Sequence, residues 1–117
     1  MPRIFELKKL MNAKYFQCVF YVPVADAKSV KQAVFHAGAG RLGQYTECCW
    51  EIEGFGQFRP MKGADPALGS AGTLEKVREL RVECIVAKEF KQAVKKALVH
   101  AHPYEEPAYH FIAVDID

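Results

Sequence analysis

The chain has 117 residues, of which 50% are hydrophobic, 12% are aromatic and 26% are charged. This length suits one domain, and the composition is that of a folded chain rather than a disordered one. Its 16 basic residues nearly balance 14 acidic ones, so nothing demands the basic face that nucleic-acid binding requires. No apolar run approaches the roughly 20 residues that cross a bilayer. We therefore expect neither a nucleic acid nor a membrane as a partner.

Residues 1–14 are poorly patterned and precede the first strand-like segment. They carry basic residues but no continuous apolar core followed by a small-residue cleavage site, which excludes a secretory signal. Met11 is an alternative start of the chain. We predict a loosely held arm over residues 1–14 and one domain over residues 15–117.

The four cysteines are Cys18, Cys48, Cys49 and Cys84. None forms a CxxC pair, and adjacent Cys48 and Cys49 would point to opposite faces of a strand. A closed zinc site needs convergent thiolates, normally in close sequence pairs. We therefore predict four reduced cysteines in a cytoplasmic protein.

Residues 15–23 are rich in aromatic and β-branched residues and predict the first strand. Apolar residues then recur at helical spacing from Ala27 to Ala37, and Gly38 and Gly40 end that helix. The later predicted elements are a strand over residues 45–52, a short strand or turn over 57–60, a loop over 60–72, a strand over 74–86, a helix over 89–101 and a strand over 109–116.

This order predicts an α+β fold: a ferredoxin-like βαββαβ sandwich with four antiparallel strands, two helices on one face, and an extra short hairpin or loop after the second strand. The first and last strands are apolar on both sides, although a sheet with one face in water should alternate. Val19, Tyr21, Tyr109 and Phe111 would form the second apolar face. We expect another copy of the chain to cover it.

The run from Gly38 to Gly43 matches GxGxxG, but its glycines end a helix and lead into a strand. A dinucleotide-binding loop has the opposite arrangement, so the match does not predict a nucleotide site. A helix cap with close backbone approach is the structural interpretation. The functional alternative is an anion held by Arg41 beside the backbone amides near Gly40.

The loop after the second strand contains Arg59, Lys62 and Gly63. No GK[ST] sequence is present, so this is not a P-loop. Arg59 could hold a carboxylate or phosphate with two hydrogen bonds. A structured surface loop is the alternative interpretation.

Residues 102–107, HPYEEP, connect the last helix to the last strand. Two prolines indicate a rigid turn. As an alternative, His102 and Glu105, together with His36, offer nitrogen and oxygen ligands to copper or zinc.

We predict that one cleft joins this turn, the loop over residues 58–69 and the glycine turn after His36, because nearly parallel helices would bring them to the same edge. The predicted ligand-binding residues are Gly40, Arg41, Arg59, Lys62, Gly63, His102, Tyr104, Glu105 and Glu106. Mixed charge suits a zwitterionic ligand, a metal–anion pair or a protein partner's loop.

No nucleophile–base pair is evident from the sequence. Serines are few, and neither Ser29 nor Ser70 lies in GxSxG. Catalytic groups assemble in space rather than in sequence, so an enzyme remains an alternative without positive support.

Several motifs together resemble the YqfO family over residues 15–116. They are residues 36–40 (HAGAG), 43–45 (GQY), 54–60 (GFGQFRP), 63–66 (GADP) and 102–107 (HPYEEP). The resemblance implies that the chain is similar to an insert domain of larger members, which resemble dinuclear-metal hydrolases or GTP cyclohydrolase homologues. Their metal ligands lie in a flanking domain, so the resemblance implies no metallohydrolase activity here.

That insert is similar in fold to the trimeric CutA and PII-type proteins, and the 102–105 run looks like a CutA stretch associated with divalent cations. Asp65 stands where the family's loop would carry Asn, which disfavours an anion site. We therefore predict a non-catalytic homo-oligomer, a trimer, that binds a small ligand or protein partner in a regulatory role. The alternatives are a divalent-metal binder of the CutA kind and a cryptic enzyme.

Overall fold

The computed structural model describes Ile4 and residues 12–116. Most of the predicted N-terminal arm lies outside these residues. The elements in chain order are strand β1 (Tyr15–Pro23), a 3-10 turn (Val24–Asp26), helix α1 (Ala27–His36), strand β2 (Trp50–Phe58), strand β3 (Glu75–Ala87), a 3-10 turn (Lys88–Phe90), helix α2 (Lys91–Ala101) and strand β4 (Tyr109–Val114). Within the described residues, no helix is long and apolar enough to span a membrane.

The four strands form one antiparallel sheet in the order β2-β3-β1-β4. This order and the two helices confirm the predicted ferredoxin-like fold. β3 is longer than its neighbour β1: residues 79–87 pair with β1, whereas residues 75–83 pair with β2. The outer halves of β2 and β3 therefore project beyond β1 as a two-stranded ribbon.

The hydrophobic core lies between the helices and one face of the sheet. Val30 and Val34 of α1 and Val94 and Leu98 of α2 are fully buried, as their helical spacing predicts. The strand residues in this core are Cys18, Phe20, Val22, Val82, Cys84 and Val86. Cys18 and Cys84 lie opposite each other across β1 and β3 as free thiols.

The register of β1 and β4 corrects the predicted second apolar face. Tyr109 lies opposite Phe20, and Tyr109 and Phe111 both pack against the helix-covered core. Directly opposed residues share a face, so these two aromatics lie on the helix side. Val19 and Tyr21 lie on the other side, which we call the open face.

The open face is more polar than the sequence pattern predicts. At its centre, Gln17 Nε2 donates to Glu83 Oε1 at 3.1 Å, and Arg81 Nε donates to Glu83 Oε2 at 3.0 Å. Val19 is completely buried on this face. The exposed apolar residues of the open face lie at its edges, on the outer strands: Trp50, Ile52 and Ile112.

The second strand begins later than predicted, at Trp50 instead of residue 45. Leu42 and Tyr45 exchange two backbone hydrogen bonds of 2.9 Å in a tight turn. Glu47 adopts a left-handed conformation with φ 57°, which a strand does not tolerate. Cys48 and Cys49 therefore lie before β2, not on two faces of a strand. The short strand or turn predicted over residues 57–60 overlaps the end of β2, which continues to Phe58.

The two helices are antiparallel, contrary to the prediction. Gly38, just after α1, packs so closely on Phe90 that a Cβ would come within 2.5 Å of the ring. The end of α1 therefore lies beside the start of α2. Gly40 N donates to Ile85 O at 2.8 Å, near the first residues of β1. β1 and β3 run in opposite directions, and each is followed by one of the two helices. α2 therefore ends at the opposite end of the sheet from α1.

Candidate ligand-binding cleft

A cleft of about 710 Å³ lies where the β2–β3 ribbon projects beyond β1. The loop over residues 59–68 and the segment over residues 104–108 form its other sides. The lining residues are Tyr21, Ile52, Glu53, Gly54, Phe55, Gly56, Gln57, Phe58, Arg59, Pro60, Met61, Ala64, Pro66, Ala67, Leu68, Glu79, Arg81, Tyr104, Glu105, Glu106 and Ala108. This volume is in the usual range for sites that bind small molecules.

Tyr104 and Glu79 connect the two sides of the cleft. The Tyr104 hydroxyl donates to Glu79 Oε2 at 2.9 Å, and its ring packs on Phe58 with 5.8 Å between centroids. Burial of the phenol, followed by its hydrogen bond to Glu79, raises the pKa of Tyr104 above its ordinary value. The phenol therefore stays protonated and remains a donor at neutral pH.

Gly56 makes room for this contact. The Glu79 carboxylate lies where a Cβ on Gly56 would be, so a larger residue would displace it. Gly54, two residues earlier on the same strand, has open space at the equivalent position. A Cβ at position 56 would therefore have to push the Glu79 carboxylate aside, whereas one at position 54 would not.

Backbone hydrogen bonds hold the 59–74 loop in place. Arg59 Nη1 donates to Gly72 O at 2.9 Å, and Gly72 N donates to Pro60 O at 2.8 Å, which closes the base of the loop. At its far side, Asp65 N donates to Glu105 Oε1 at 3.3 Å. This last bond connects the loop to the 104–108 segment.

Four of the predicted ligand-binding residues line this cleft: Arg59, Tyr104, Glu105 and Glu106. Lys62 and Gly63 belong to the loop that follows Arg59, but they do not line the cleft. Whether the lining residues bind a ligand stays a prediction.

The predicted glycine turn does not belong to this cleft. Gly40 and Arg41 lie at the other end of the sheet, where the Arg41 guanidinium is 5.0 Å from the centroid of the Phe90 ring. The single shared cleft was predicted from parallel helices. Antiparallel helices place the two helix exits at opposite ends, so that part of the prediction is wrong.

His102 lies next to the cleft as a buried structural group rather than in its lining. The residue is 5% exposed; Nε2 lies 2.7 Å from Tyr21 O, and Nδ1 accepts from Tyr104 N at 3.1 Å. A carbonyl oxygen only accepts, so the ring proton is assigned to Nε2. Both ring nitrogens are thus used within the chain.

The predicted metal ligands do not fit a metal site. His102 has no free nitrogen, and His36 ends α1 at the far end of the sheet from Glu105. Within the residues that the structure describes, no group of three or more His, Cys, Asp or Glu side chains converges to hold a metal ion. A divalent cation normally needs at least that many protein ligands for a resident site.

Sequence reasoning missed most of the β2 and β3 residues in the cleft, including Phe55, Glu79 and Arg81. The third strand was predicted to within one residue at each end, but the second was predicted to end at residue 52, so the ribbon that it forms with the start of β3 was not foreseen. The signal that could have indicated the ribbon was the length of the alternating β3 segment, which has 13 residues, whereas β1 has 9.

No family model matches the chain, but individual proteins do. A GTP cyclohydrolase 1 type 2 homolog from Mycobacterium leprae is 47% identical over 96 residues, which are 82% of this chain and 25% of that protein. The Bacillus subtilis homolog is 42% identical over 95 residues, covering 81% and 26% of the two chains. The chain thus spans about a quarter of the length of these relatives.

Solved structures agree with these sequence matches. A Bacillus cereus protein related to NIF3 superposes with a TM-score of 0.76 at 39% identity, covering 89% of this chain and 26% of that one. The periplasmic divalent cation tolerance protein CutA from Archaeoglobus fulgidus gives 0.62 at 13% identity, covering 88% and 86%. The second match shows the fold alone. These findings confirm the resemblance read from the motifs: the chain is homologous to one segment of the NIF3-related GTP cyclohydrolase 1 type 2 homologues and has the fold of CutA.

Proposed function

We propose that this chain is a non-catalytic module that self-associates and binds a small ligand in the cleft, in a regulatory role. The main support for this proposal is the cleft. Its volume of about 710 Å³, its largely apolar lining and its few polar groups are typical of small-molecule sites. The loop is connected to the 104–108 segment by a hydrogen bond, which supports a formed site.

The chemistry of the lining supports binding rather than catalysis. Among the described residues that line the cleft, none is Ser, Cys, Lys or His, and the Glu79 carboxylate accepts the Tyr104 O–H at 2.9 Å. The one tyrosine with a raised pKa, Tyr104, is a stable donor to Glu79. The relatives' names refer to GTP cyclohydrolase, but the chain spans only a quarter of their length. We propose that a segment of this kind supplies a binding function within such larger proteins.

Self-association is supported by the edge strand β2. It is the outer strand of the sheet, so the backbone groups on one side of it have no strand partner among the described residues. Trp50, Ile52 and Phe55 are 59%, 54% and 68% exposed along it. Natural proteins usually cover a long apolar edge strand. We propose that a second copy covers it in a closed trimer, as the resemblance to CutA and PII-type proteins predicts.

We also propose a cytoplasmic location. Cys18 and Cys84 face each other in the core as free thiols, and Cys48 and Cys49 are free as well. Four thiols without a disulfide suit a reducing compartment.

A fragment titration followed by backbone amide NMR tests the ligand site. The fragments should include equal numbers of anionic, cationic and neutral members. We expect binders to shift the amides of residues 59–68 and 104–108. Ala67→Phe, which fills the cleft, should weaken binding, whereas Ala71→Phe, in the same loop but outside the lining, should not. Fragments that bind only elsewhere, or that bind Ala67→Phe equally well, would contradict the proposal.

The divalent-cation alternative is tested separately by melting the protein with copper or zinc. A resident site would raise Tm as the metal concentration increases, following RT ln(1 + [L]/Kd). Our proposal predicts no such increase, because the described residues provide no converging ligand set.

A further inference from the structure

We propose that the cleft takes a small organic cation, an ammonium or guanidinium group carried on a compact apolar body. This inference rests on the ligand site proposed above and names its class of ligand. It follows from the charge balance and the aromatic walls of the cleft.

Negative charge exceeds positive charge in the lining. The charged lining residues are four carboxylates and two guanidiniums: Glu53, Glu79, Glu105, Glu106, Arg59 and Arg81. Glu53 is already paired with Arg78 at 2.6 Å, and Arg81 with Glu83 at 3.0 Å. In the described part of the chain, no ion pair neutralises Glu79, Glu105 or Glu106. A cationic ligand therefore gains attraction in this cleft, and an anionic ligand meets repulsion.

The Glu79 carboxylate is the best placed of the three. Tyr104 O–H donates to one of its oxygens, which fixes the carboxylate against the cleft wall over Gly56. A carboxylate held in this way is preorganised to accept a charge-assisted hydrogen bond from a ligand N–H group.

Aromatic rings form the walls on either side. Tyr21, Phe55, Phe58 and Tyr104 all line the cleft. Two of them already interact with cations of the chain: the Arg81 guanidinium lies 5.8 Å from the Tyr21 centroid, and Lys76 Nζ lies 5.2 Å from the Phe55 centroid. Aromatic faces beside a carboxylate are the arrangement by which proteins recognise organic ammonium groups.

An inorganic cation fits the same cleft poorly. Divalent metals require several converging oxygen or nitrogen ligands, and the described residues contain no such group. Ile52, Met61 and Leu68 contribute apolar surface that a hydrated ion would not use. A cation with an apolar body uses both the charge and this surface.

Two probes of the same shape and opposite charge test the proposal: 2-phenylethylamine, a cation at neutral pH, and 3-phenylpropionate. Amide NMR titration of the whole chain at low salt should give amine binding about tenfold tighter than that of the acid, the ratio expected from one favourable charge contact. Glu79→Gln keeps an acceptor for Tyr104 but removes the charge, and should weaken amine binding about tenfold. Glu89→Gln, an exposed carboxylate outside the lining, should leave it unchanged.

Glu106→Gln provides a second variant that leaves the Tyr104–Glu79 contact intact, and it should also weaken amine binding. Equal or tighter binding of the acid, or amine binding that is unaffected by both cleft variants, would overturn the inference. If the acid shifts the cleft amides instead, the proposed ligand site stands and only the cation class is wrong. If neither probe perturbs the cleft, the inference and the proposed ligand site both fail.

Discussion

The His102 imidazole connects β1 to the segment that follows α2 through its two nitrogens. One nitrogen contacts the Tyr21 carbonyl on β1, and the other accepts from the Tyr104 amide just after α2. Such a buried, fully used ring is costly to remove, because truncation leaves buried polar backbone groups without partners. The sequence indicated a rigid turn at residues 102–107, with His102 as a candidate ligand in the alternative interpretation. The hydrogen bonds of its two nitrogens could be recognised only once β1 was placed beside the exit of α2.

His102→Ala should therefore lower the free energy of unfolding by about 1–3 kcal/mol, the usual cost of buried groups left unsatisfied. His100→Ala, two residues earlier and exposed, is the matched control and should change it by less than about 0.5 kcal/mol. Urea denaturation measures both. Equal stability of the two variants would show that the His102 hydrogen bonds contribute nothing.

The raised pKa of Tyr104 predicts that the stability of the fold depends on pH in the alkaline range. Burial and the Glu79 carboxylate raise its pKa in the folded state above the unfolded value of about 10. The stability gained from the protonated phenol is therefore complete below about pH 10 and is lost as the pH rises towards the folded pKa. Between pH 9 and pH 11, wild type should lose more stability than Tyr104→Phe. Identical losses in the two proteins would argue against a protected phenol.

At the scale of elements, the β2–β3 ribbon determines where the cleft lies. The helices and the first strand followed from apolar spacing in the sequence, and β3 was predicted to within one residue at each end. β2 was not, because the predicted second strand covered residues 45–52, whereas β2 continues to Phe58 and contains both Gly54 and Gly56. Gly56 is explained by the Glu79 carboxylate that occupies the space of its missing Cβ, a contact that only the pairing of β2 with β3 creates.

Gly56→Ala should displace Glu79 and break its hydrogen bond to Tyr104, at a cost of about 1 kcal/mol. Gly54→Ala meets open space on the same strand and should be neutral or slightly stabilising. Denaturation curves give the energies, and the Tyr104 ring resonances report the local change. If Gly54→Ala proves as costly as Gly56→Ala, the Glu79 contact does not explain the loss.

At the scale of the whole molecule, the sheet has one face covered by helices and one that is open. The alternation along β1 and β4 indicated apolar residues on both sides, but it could not show which residues share a side across two strands. The register moves Tyr109 and Phe111 to the helix side and leaves Ile112 on the open face, 44% exposed. Val19 is already buried in the single chain, so substituting it would test folding rather than assembly.

Ile112→Lys is therefore the better test of whether the interface proposed at β2 extends across the open face to β4. If copies associate through it, a buried unpaired charge should weaken assembly by at least tenfold in Kd. Val99→Lys is the matched control, because Val99 is also 44% exposed but lies on α2, in the layer that covers the other face of the sheet. Sedimentation velocity of both variants measures the effect. Equal dissociation of the two, or no dissociation of Ile112→Lys, would exclude the open face as the interface.

The most direct measurement of self-association is sedimentation equilibrium of the wild-type chain at micromolar concentration. One chain has a mass of 13.2 kDa, and we expect a main species of three times that mass. Another stable multiple would contradict the trimer but leave self-association standing. A single species of 13.2 kDa over the whole concentration range would contradict the proposal that this module works as an assembly.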